Sequence, residues 1–104
     1  MNDRVNKLLV FLKESPDDSF LKHALALEYI KAGDDMEARM MFDSNLEKDP
    51  GYVATYYHLG KLLERVGEQQ KAIAIYEQGM AVAKKAGDMH TYSELQAAHE
   101  DLVY

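Results

Sequence analysis

The apolar residues of this chain recur at spacings of three and four positions, which places side chains on one face of an α-helix. The pattern divides the chain into six stripes, and most of them end close to a glycine or a proline. No run of residues alternates between apolar and polar positions as a half-buried β-strand does. The sequence therefore predicts an all-α protein of about six helices. The stripes begin at Val5, Leu21, Ala38, Tyr56, Ala72 and Met89.

Proline and glycine mark the predicted helix ends. Pro16 is expected to stop the first helix and to open the second, because proline is tolerated in the first turn of a helix but not in its interior. Pro50 is expected to close the third helix. Gly33, Gly67 and Gly87 each follow an apolar stripe, where the left-handed backbone that ends many helices favours glycine. The connections are short, so the 104 residues are predicted to form one domain.

The stripes and turns repeat with a period of 34 residues. Residues 34 positions apart are identical at a turn proline, at a turn glycine and at two packing positions, and both are small at a third packing position. These are places where the backbone or the packing constrains the residue, so the pairs indicate a structural repeat. The pairs are Pro16 and Pro50, Gly33 and Gly67, Leu25 and Leu59, Ala38 and Ala72, and Ala26 and Gly60.

Each copy of the repeat carries a helix–turn–helix motif. The second copy reads Tyr56-x2-Leu59-Gly60-x2-Leu63, then Ala72-x3-Tyr76. The first copy reads Lys22-x2-Leu25-Ala26-x2-Tyr29, then Ala38-x3-Phe42 and Pro50. This pattern resembles the tetratricopeptide repeat family. The first copy departs from it at Lys22, where the aromatic residue is missing, and the second at Lys84, which replaces the closing proline and permits a longer helix.

The resemblance covers nearly the whole chain and implies a right-handed superhelical stack of antiparallel helix hairpins. Residues 1–15 would form a leading helix, residues 19–50 the first repeat, and residues 53–86 a second repeat with an extended second helix. Residues 88–104 would form a C-terminal capping helix. Glu94 stands 34 positions after Gly60, where a small residue is expected, and a shift of about two residues would restore the register.

Gly60 lies inside a predicted helix, where glycine costs about 1 kcal/mol relative to alanine. Its place in the repeat explains this choice, because two helices that cross closely need a small residue on one wall. We therefore predict that the two helices of each repeat cross closely at small residues. Ala26 and Gly60 would supply the small residue on the first helix of each repeat, and Ala38 and Ala72 would supply it on the second helix.

In the tetratricopeptide repeat family, the first helices of successive hairpins line a concave groove that typically holds peptide segments of partner proteins. The resemblance implies such a groove along the first helix of each repeat, extended by the last helix. The partner-binding residues that it implies are Phe20, His23, Leu27, Lys31, Tyr57, His58, Lys61, Arg65 and Tyr92.

Three of these residues also stand out from helical spacing alone. Tyr57, Lys61 and Arg65 follow one another at intervals of four, away from the packing stripe, so they form one row on the helix surface. An aromatic ring beside two cations is suited to an acidic or C-terminal peptide. The alternative is that Lys61 and Arg65 are solvated charges that pair with Glu64 or Glu68.

Composition and charge narrow the function classes. The net charge of −6 and the lack of a dense basic segment argue against nucleic-acid binding, which depends on phosphate contacts. The chain contains no cysteine, and its four histidines are not paired at helical spacing, so no metal site is predicted. No apolar segment approaches the roughly 20 residues of a membrane span, and no signal peptide is recognised. A cytoplasmic protein without membrane association is predicted.

No nucleophile motif, phosphate-binding loop or metalloprotease motif is present. The absence of these motifs predicts a non-catalytic, cofactor-free protein, and the family resemblance implies a module that binds a protein or peptide segment in its groove. The alternative is a structural homo-oligomer that assembles through exposed helix-hairpin faces.

Overall fold

The computed structural model of the protein describes residues 2–104, and within that range it contains six α-helices and no β-strand. The all-α prediction is confirmed. Met1, which falls in the predicted leading helix, lies outside the described residues. The helices are α1 (Asp3–Glu14), α2 (Ser19–Lys31), α3 (Asp35–Lys48), α4 (Ala54–Arg65), α5 (Gln69–Ala86) and α6 (Met89–Val103).

The six helices fall into two compact units. The first unit ends at Asp49 and contains α1 to α3, and the second extends from Pro50 to Tyr104 and contains α4 to α6. Within each unit, helices that follow one another in the chain pack together as hairpins, and in the second unit α4 also contacts α6. This gives the arrangement of a tetratricopeptide-like fold within each unit.

The first unit is built around the apolar stripes of its helices. Val5 and Leu8 of α1 pack against Leu25 of α2, and all three are buried. Half-buried apolar side chains surround this cluster: Leu12, Leu21, Ala24, Tyr29 and Met41. Removing these side chains from water stabilises the fold by about 25 cal/mol for each Å² of apolar surface.

Four helices begin at a side chain that caps their first turn. Asn2, Asp18, Asp34 and Asp88 each accept a hydrogen bond from the backbone N–H three residues later, with N···O distances between 2.7 and 3.2 Å. These caps satisfy backbone donors that have no partner inside the helix. Helix α1 ends at Glu14, just before Pro16, as the sequence predicted. Helix α2 is capped by Asp18 and not opened by Pro16, so the second part of the prediction for Pro16 is wrong.

The three predicted glycine stops all adopt the left-handed backbone, with φ of 80°, 86° and 75° at Gly33, Gly67 and Gly87. At Gly67 the following N–H, of Glu68, donates to the carbonyl of Leu63 over 2.8 Å, and the same bond occurs after Gly33 and Gly87. This is the Schellman arrangement that closes a helix. The three turns are therefore equivalent in both sequence and geometry.

Gly60 lies where α4 crosses α5, as its place in the repeat predicted. The ring of Tyr76, which is fully buried, packs directly on the Gly60 backbone. A Cβ atom at position 60 would lie 2.6 Å from Cζ and 2.7 Å from Cδ1 of Tyr76, distances at which atoms collide. Glycine is required at this position of the helix because the Tyr76 ring occupies the space that a side chain would fill.

A second close approach involves Gly79, further along α5. A Cβ atom there would lie 2.6 Å from Cβ of Tyr56 on α4 and 2.9 Å from Cδ1 of Leu95 on α6. Two glycines, one on α4 and one on α5, therefore allow three helices of the second unit to pack closely.

The burial pattern of α6 shows how this helix relates to α4. Leu59 and Leu62 are buried on α4, and the buried residues of α6, Leu95 and Ala98, lie 36 positions later. This spacing fits the shift of about two residues that the longer α5 led us to expect.

We predict that Gly60→Leu lowers the free energy of unfolding by about 2 kcal/mol or more, because overpacking of a filled core is destabilising. Urea denaturation followed by circular dichroism would measure the change. Ala74→Leu, at an exposed position of α5, is the matched control and should change stability by less than about 0.5 kcal/mol. In a Tyr76→Leu background the cost of Gly60→Leu should shrink, and an equal cost in both backgrounds would contradict the assigned contact.

We predict a pH-dependent contribution from the cap of α6. The backbone N–H and the hydroxyl of Thr91 both donate to Asp88, and these bonds lower the pKa of Asp88 below its ordinary value of 3.8. A lowered pKa stabilises the fold above pH 3.8, and this stabilisation is lost as the pH falls through the folded-state pKa.

Thermal melts of three proteins would check this. Asp88→Ala should melt below the natural protein at neutral pH, and Asp88→Asn, which retains an acceptor oxygen without the charge, should lie between them. The difference between the natural protein and Asp88→Ala should shrink below pH 3.8. A difference that stays constant over this range would refute the assignment.

Candidate partner-binding site

Tyr57, Lys61 and Arg65 form a row on the surface of α4, because this helix buries one face and leaves the other in contact with solvent. Tyr56, Leu59 and Leu63 are buried, and Tyr57 and Lys61 lie on the opposite side, partly exposed. The Lys61 ammonium lies 5.6 Å from the centroid of the Tyr57 ring. At a surface such a cation–π contact contributes about 0.5–1 kcal/mol, which favours this arrangement of the two side chains.

Lys61 is also engaged by a carboxylate. Its ammonium lies 3.6 Å from Oε2 of Glu64, one turn further along α4. This is the pairing that the sequence left open as an alternative to a cationic site. Arg65 is exposed and takes part in an interaction of its own. The row is therefore less positive than its sequence indicated.

Glu64 is fixed from the core side by Tyr76. The Tyr76 hydroxyl donates a hydrogen bond to Oε2 of Glu64. Burial raises the pKa of Tyr76, the hydrogen bond to Glu64 raises it further, and the charges of Glu64 and Asp101 act in the same direction. Tyr76 is thus a proton donor at every physiological pH, and Glu64 is its acceptor.

His58 lies on α4 next to Tyr57, beside the surface row. Its ring meets the Tyr57 ring edge-on, with 5.5 Å between the two centroids. Burial lowers the pKa of His58, although the charge of Glu94 on α6 opposes this effect. His58 is therefore mainly neutral at pH 7 and adds little positive charge to the surface.

A cavity of about 250 Å³ lies at the end of α4, lined by Glu64, Gly67, Gln69 and Leu102. It is smaller than the roughly 300–1,000 Å³ of small-molecule sites, so its size suits a single side chain. Gln69 and Leu102 were absent from the predicted site. No local sequence signal marks them, because they are brought to Glu64 from α5 and α6 only by folding.

Four residues of the predicted site lie on α2, in the first unit. Phe20 is 65% exposed, and Leu27 is half-buried. Lys31 is exposed and its ammonium lies 3.1 Å from Oε2 of Glu28. His23 is only 8% exposed, and its ring packs 5.8 Å from that of Phe42. A side chain covered in this way offers a partner little surface.

The remaining predicted residue, Tyr92 on α6, is half-buried. The structure thus brings Tyr57, His58 and Lys61 together on α4 and adds Glu64 to them.

Membrane spans and metal sites are two further features that the structure bears on. Over residues 2–104, no helix is both long enough and apolar enough to cross a membrane. Within the same range, no three side chains of His, Asp or Glu come together in a way that could hold a metal ion.

The chain was compared with known proteins. No protein-family model matches it. A TPR repeat-containing protein of Pseudomonas aeruginosa is 32% identical over 84 residues, which are 81% of this chain and 80% of that protein. The crystal structure of a tetratricopeptide repeat domain protein from Salinibacter ruber is 44% identical, with a TM-score of 0.79, over 82% of this chain and 94% of that one.

A solution structure of a protein from Bordetella parapertussis is 27% identical, with a TM-score of 0.83, and the match covers 98% of this chain and 89% of that one. The 34-residue period, the glycine turns and the close crossing at Gly60 are thus accompanied by similarity over most of the chain to named tetratricopeptide repeat proteins. The chain belongs to the tetratricopeptide repeat family.

Proposed function

We propose that this protein is a non-catalytic module that binds a segment of a partner protein on the exposed face of α4, beside α6. Tetratricopeptide repeat domains are generally protein-interaction modules. The observation that carries the proposal for this chain is the oriented set of Tyr57, Lys61 and Glu64. These residues combine an aromatic surface, a cation and an anion on one helix face.

The arrangement suits peptide recognition for a physical reason. Tyrosine offers a large contact area and loses little conformational entropy when it is fixed, because it has only two side-chain torsions. The edge of His58 and the ammonium of Lys61 already orient the Tyr57 ring. A partner that packs on this ring therefore gains contact area without first ordering the side chain.

Other residues of the predicted set are proposed as partner contacts, each within its own unit. Arg65 continues the α4 row. Phe20, Leu27 and Lys31 are proposed as partner-contacting residues of α2 in the first unit. Tyr92, which is half-buried on α6, is proposed as a contact in the second unit, and His23 is not retained because it is buried.

We predict that peptides selected on this protein from a randomised library lose about tenfold or more in affinity when Tyr57 and Lys61 are both replaced by alanine. Loss of an aromatic anchor commonly costs more than 1 kcal/mol, and 1.4 kcal/mol corresponds to tenfold. Fluorescence polarisation with the selected peptides would measure the affinities.

The matched control replaces Gln78 and Lys84 by alanine, two exposed residues of α5, and should leave the affinity unchanged. The proposal fails if no peptide is selected, or if the two double variants bind the selected peptides equally well.

A second candidate function, a structural homo-oligomer, is favoured by the outer face of α1. Leu9, Val10 and Phe11 are 40%, 59% and 53% exposed. A cavity of about 380 Å³ lies against Val10 and Phe11, with Asn6 and Lys7 at its sides. Exposed neighbouring apolar side chains of this kind are common at protein–protein interfaces.

This candidate predicts that the protein sediments as a dimer at high concentration and that Val10→Glu with Phe11→Glu restores the monomer. Sedimentation velocity at several concentrations would test it. Met36→Glu with Met40→Glu is the control, since both methionines are exposed on α3 and should not affect association through α1. A natural protein that remains monomeric at every concentration would exclude the homo-oligomer.

A further inference from the structure

We propose that the cavity beside Glu64 binds the charged end of a lysine or arginine side chain from the partner segment. This inference rests on the proposed function, because it names the chemistry of the segment that the α4 face binds. The cavity lies where three elements of the second unit meet. Glu64 and Gly67 belong to the end of α4, Gln69 is the first residue of α5, and Leu102 lies near the end of α6.

The Glu64 carboxylate is oriented before any partner arrives. The Tyr76 hydroxyl donates to Oε2, and the Lys61 ammonium lies 3.6 Å from the same oxygen. Among residues 2–104, Tyr76 and Lys61 both meet Oε2 of Glu64, and no group donates a hydrogen bond to Oε1. A fixed carboxylate with one oxygen still able to accept is well suited to a charged donor, because hydrogen bonds between charged groups are the stronger ones.

The end of α4 provides a second and independent attraction for a cation. The carbonyl groups of the last turn of a helix carry a partial negative charge, and cations near this end are stabilised. Helix α4 has twelve residues and ends at Arg65, and Gly67 of its closing turn lines the cavity. A positive group in the cavity would therefore lie beside both Glu64 and the negative end of the helix dipole.

The surrounding charges also favour a cation. Asp101 on α6 has the same sign as Glu64, and its charge contributes to raising the pKa of Tyr76. The positive charge of Lys61 would repel a cationic ligand. The Lys61 side chain is 41% exposed, however, and its ammonium lies over the Tyr57 ring. Solvent therefore screens the repulsion between Lys61 and a cationic ligand.

Leu102 suits the uncharged part of such a side chain. Lysine and arginine carry an apolar stem that can lie along an apolar wall while the charged head reaches a polar group. The cavity offers Leu102 for the stem and Glu64 for the head. An acidic side chain would instead meet the Glu64 carboxylate, so the proposed site favours a basic segment over the acidic peptide that the Tyr57, Lys61 and Arg65 row suggested.

Three short peptides test this inference directly on the intact, isotope-labelled protein. They are acetyl-Ala-Lys-Ala-amide, the same peptide with norleucine, and the same peptide with glutamate. Norleucine retains an apolar stem and lacks the charge. In an NMR titration the lysine peptide should shift the amide signals of Gly67 and Gln69, and the other two peptides should shift them much less.

Two variants test where the lysine peptide binds. Glu64→Gln retains an acceptor for the Tyr76 hydroxyl and removes the charge, so it should fold and bind the lysine peptide about tenfold more weakly. Gln69→Lys should also weaken binding, because it places an ammonium of the chain itself at the cavity. Gln70→Lys, at an exposed neighbouring position outside the cavity, is the control with the same change of charge.

The inference is overturned if the lysine and norleucine peptides shift these signals equally, if neither shifts them, or if the glutamate peptide binds more tightly. It is also overturned if Glu64→Gln binds the lysine peptide as the natural protein does. The proposed function is judged separately. Library peptides that bind the α4 face without lysine or arginine would leave the proposed function standing and refute the cation site.

Discussion

The packing of the Tyr76 ring on the Gly60 backbone is the contact on which the second unit depends. The ring is fully buried and would collide with any side chain at position 60. This explains a glycine inside a helix, where it costs about 1 kcal/mol relative to alanine. The cost is offset because a large aromatic side chain fills the space between α4 and α5 and removes apolar surface from water.

The same tyrosine connects the core to the surface. Its ring packs inside the hairpin, and its hydroxyl reaches Glu64, a residue that is partly exposed. A buried hydroxyl needs a hydrogen-bond partner, so the fold requires an acceptor at this point of α4. The carboxylate that satisfies the core is therefore held in one orientation at the surface, and the proposed cation site is a consequence of how the hairpin closes.

This coupling changes how the exposed row of α4 is understood. As a sequence, Tyr57, Lys61 and Arg65 form an aromatic and cationic row. In the folded protein, Lys61 pairs with Glu64, burial keeps His58 mainly neutral, and the charges of Glu94 and Asp101 on α6 act on His58 and Tyr76. The charge of this surface thus depends on residues distant in the chain, and the partner segment that we propose is basic rather than acidic.

Much of the fold was predictable because its determinants are local or periodic. Helical spacing gave the six helices, and Gly33, Gly67 and Gly87 gave three helix ends, since a left-handed backbone there favours glycine. The period of 34 residues identified the hairpins and the crossing at Gly60. Pro16 was misjudged as the start of α2, because capping by Asp18 and not proline decides where that helix begins.

The candidate site was predictable only where it lies on one helix. Tyr57, His58 and Lys61 share a surface because helical geometry alone puts them together. The burial of His23 beside Phe42 and the cavity between Glu64, Gln69 and Leu102 depend on contacts between helices. The sequence by itself therefore determined the helices, their turns and the family, and only the tertiary structure decided which charges meet, because electrostatic interactions depend on distances in space rather than on spacing along the chain.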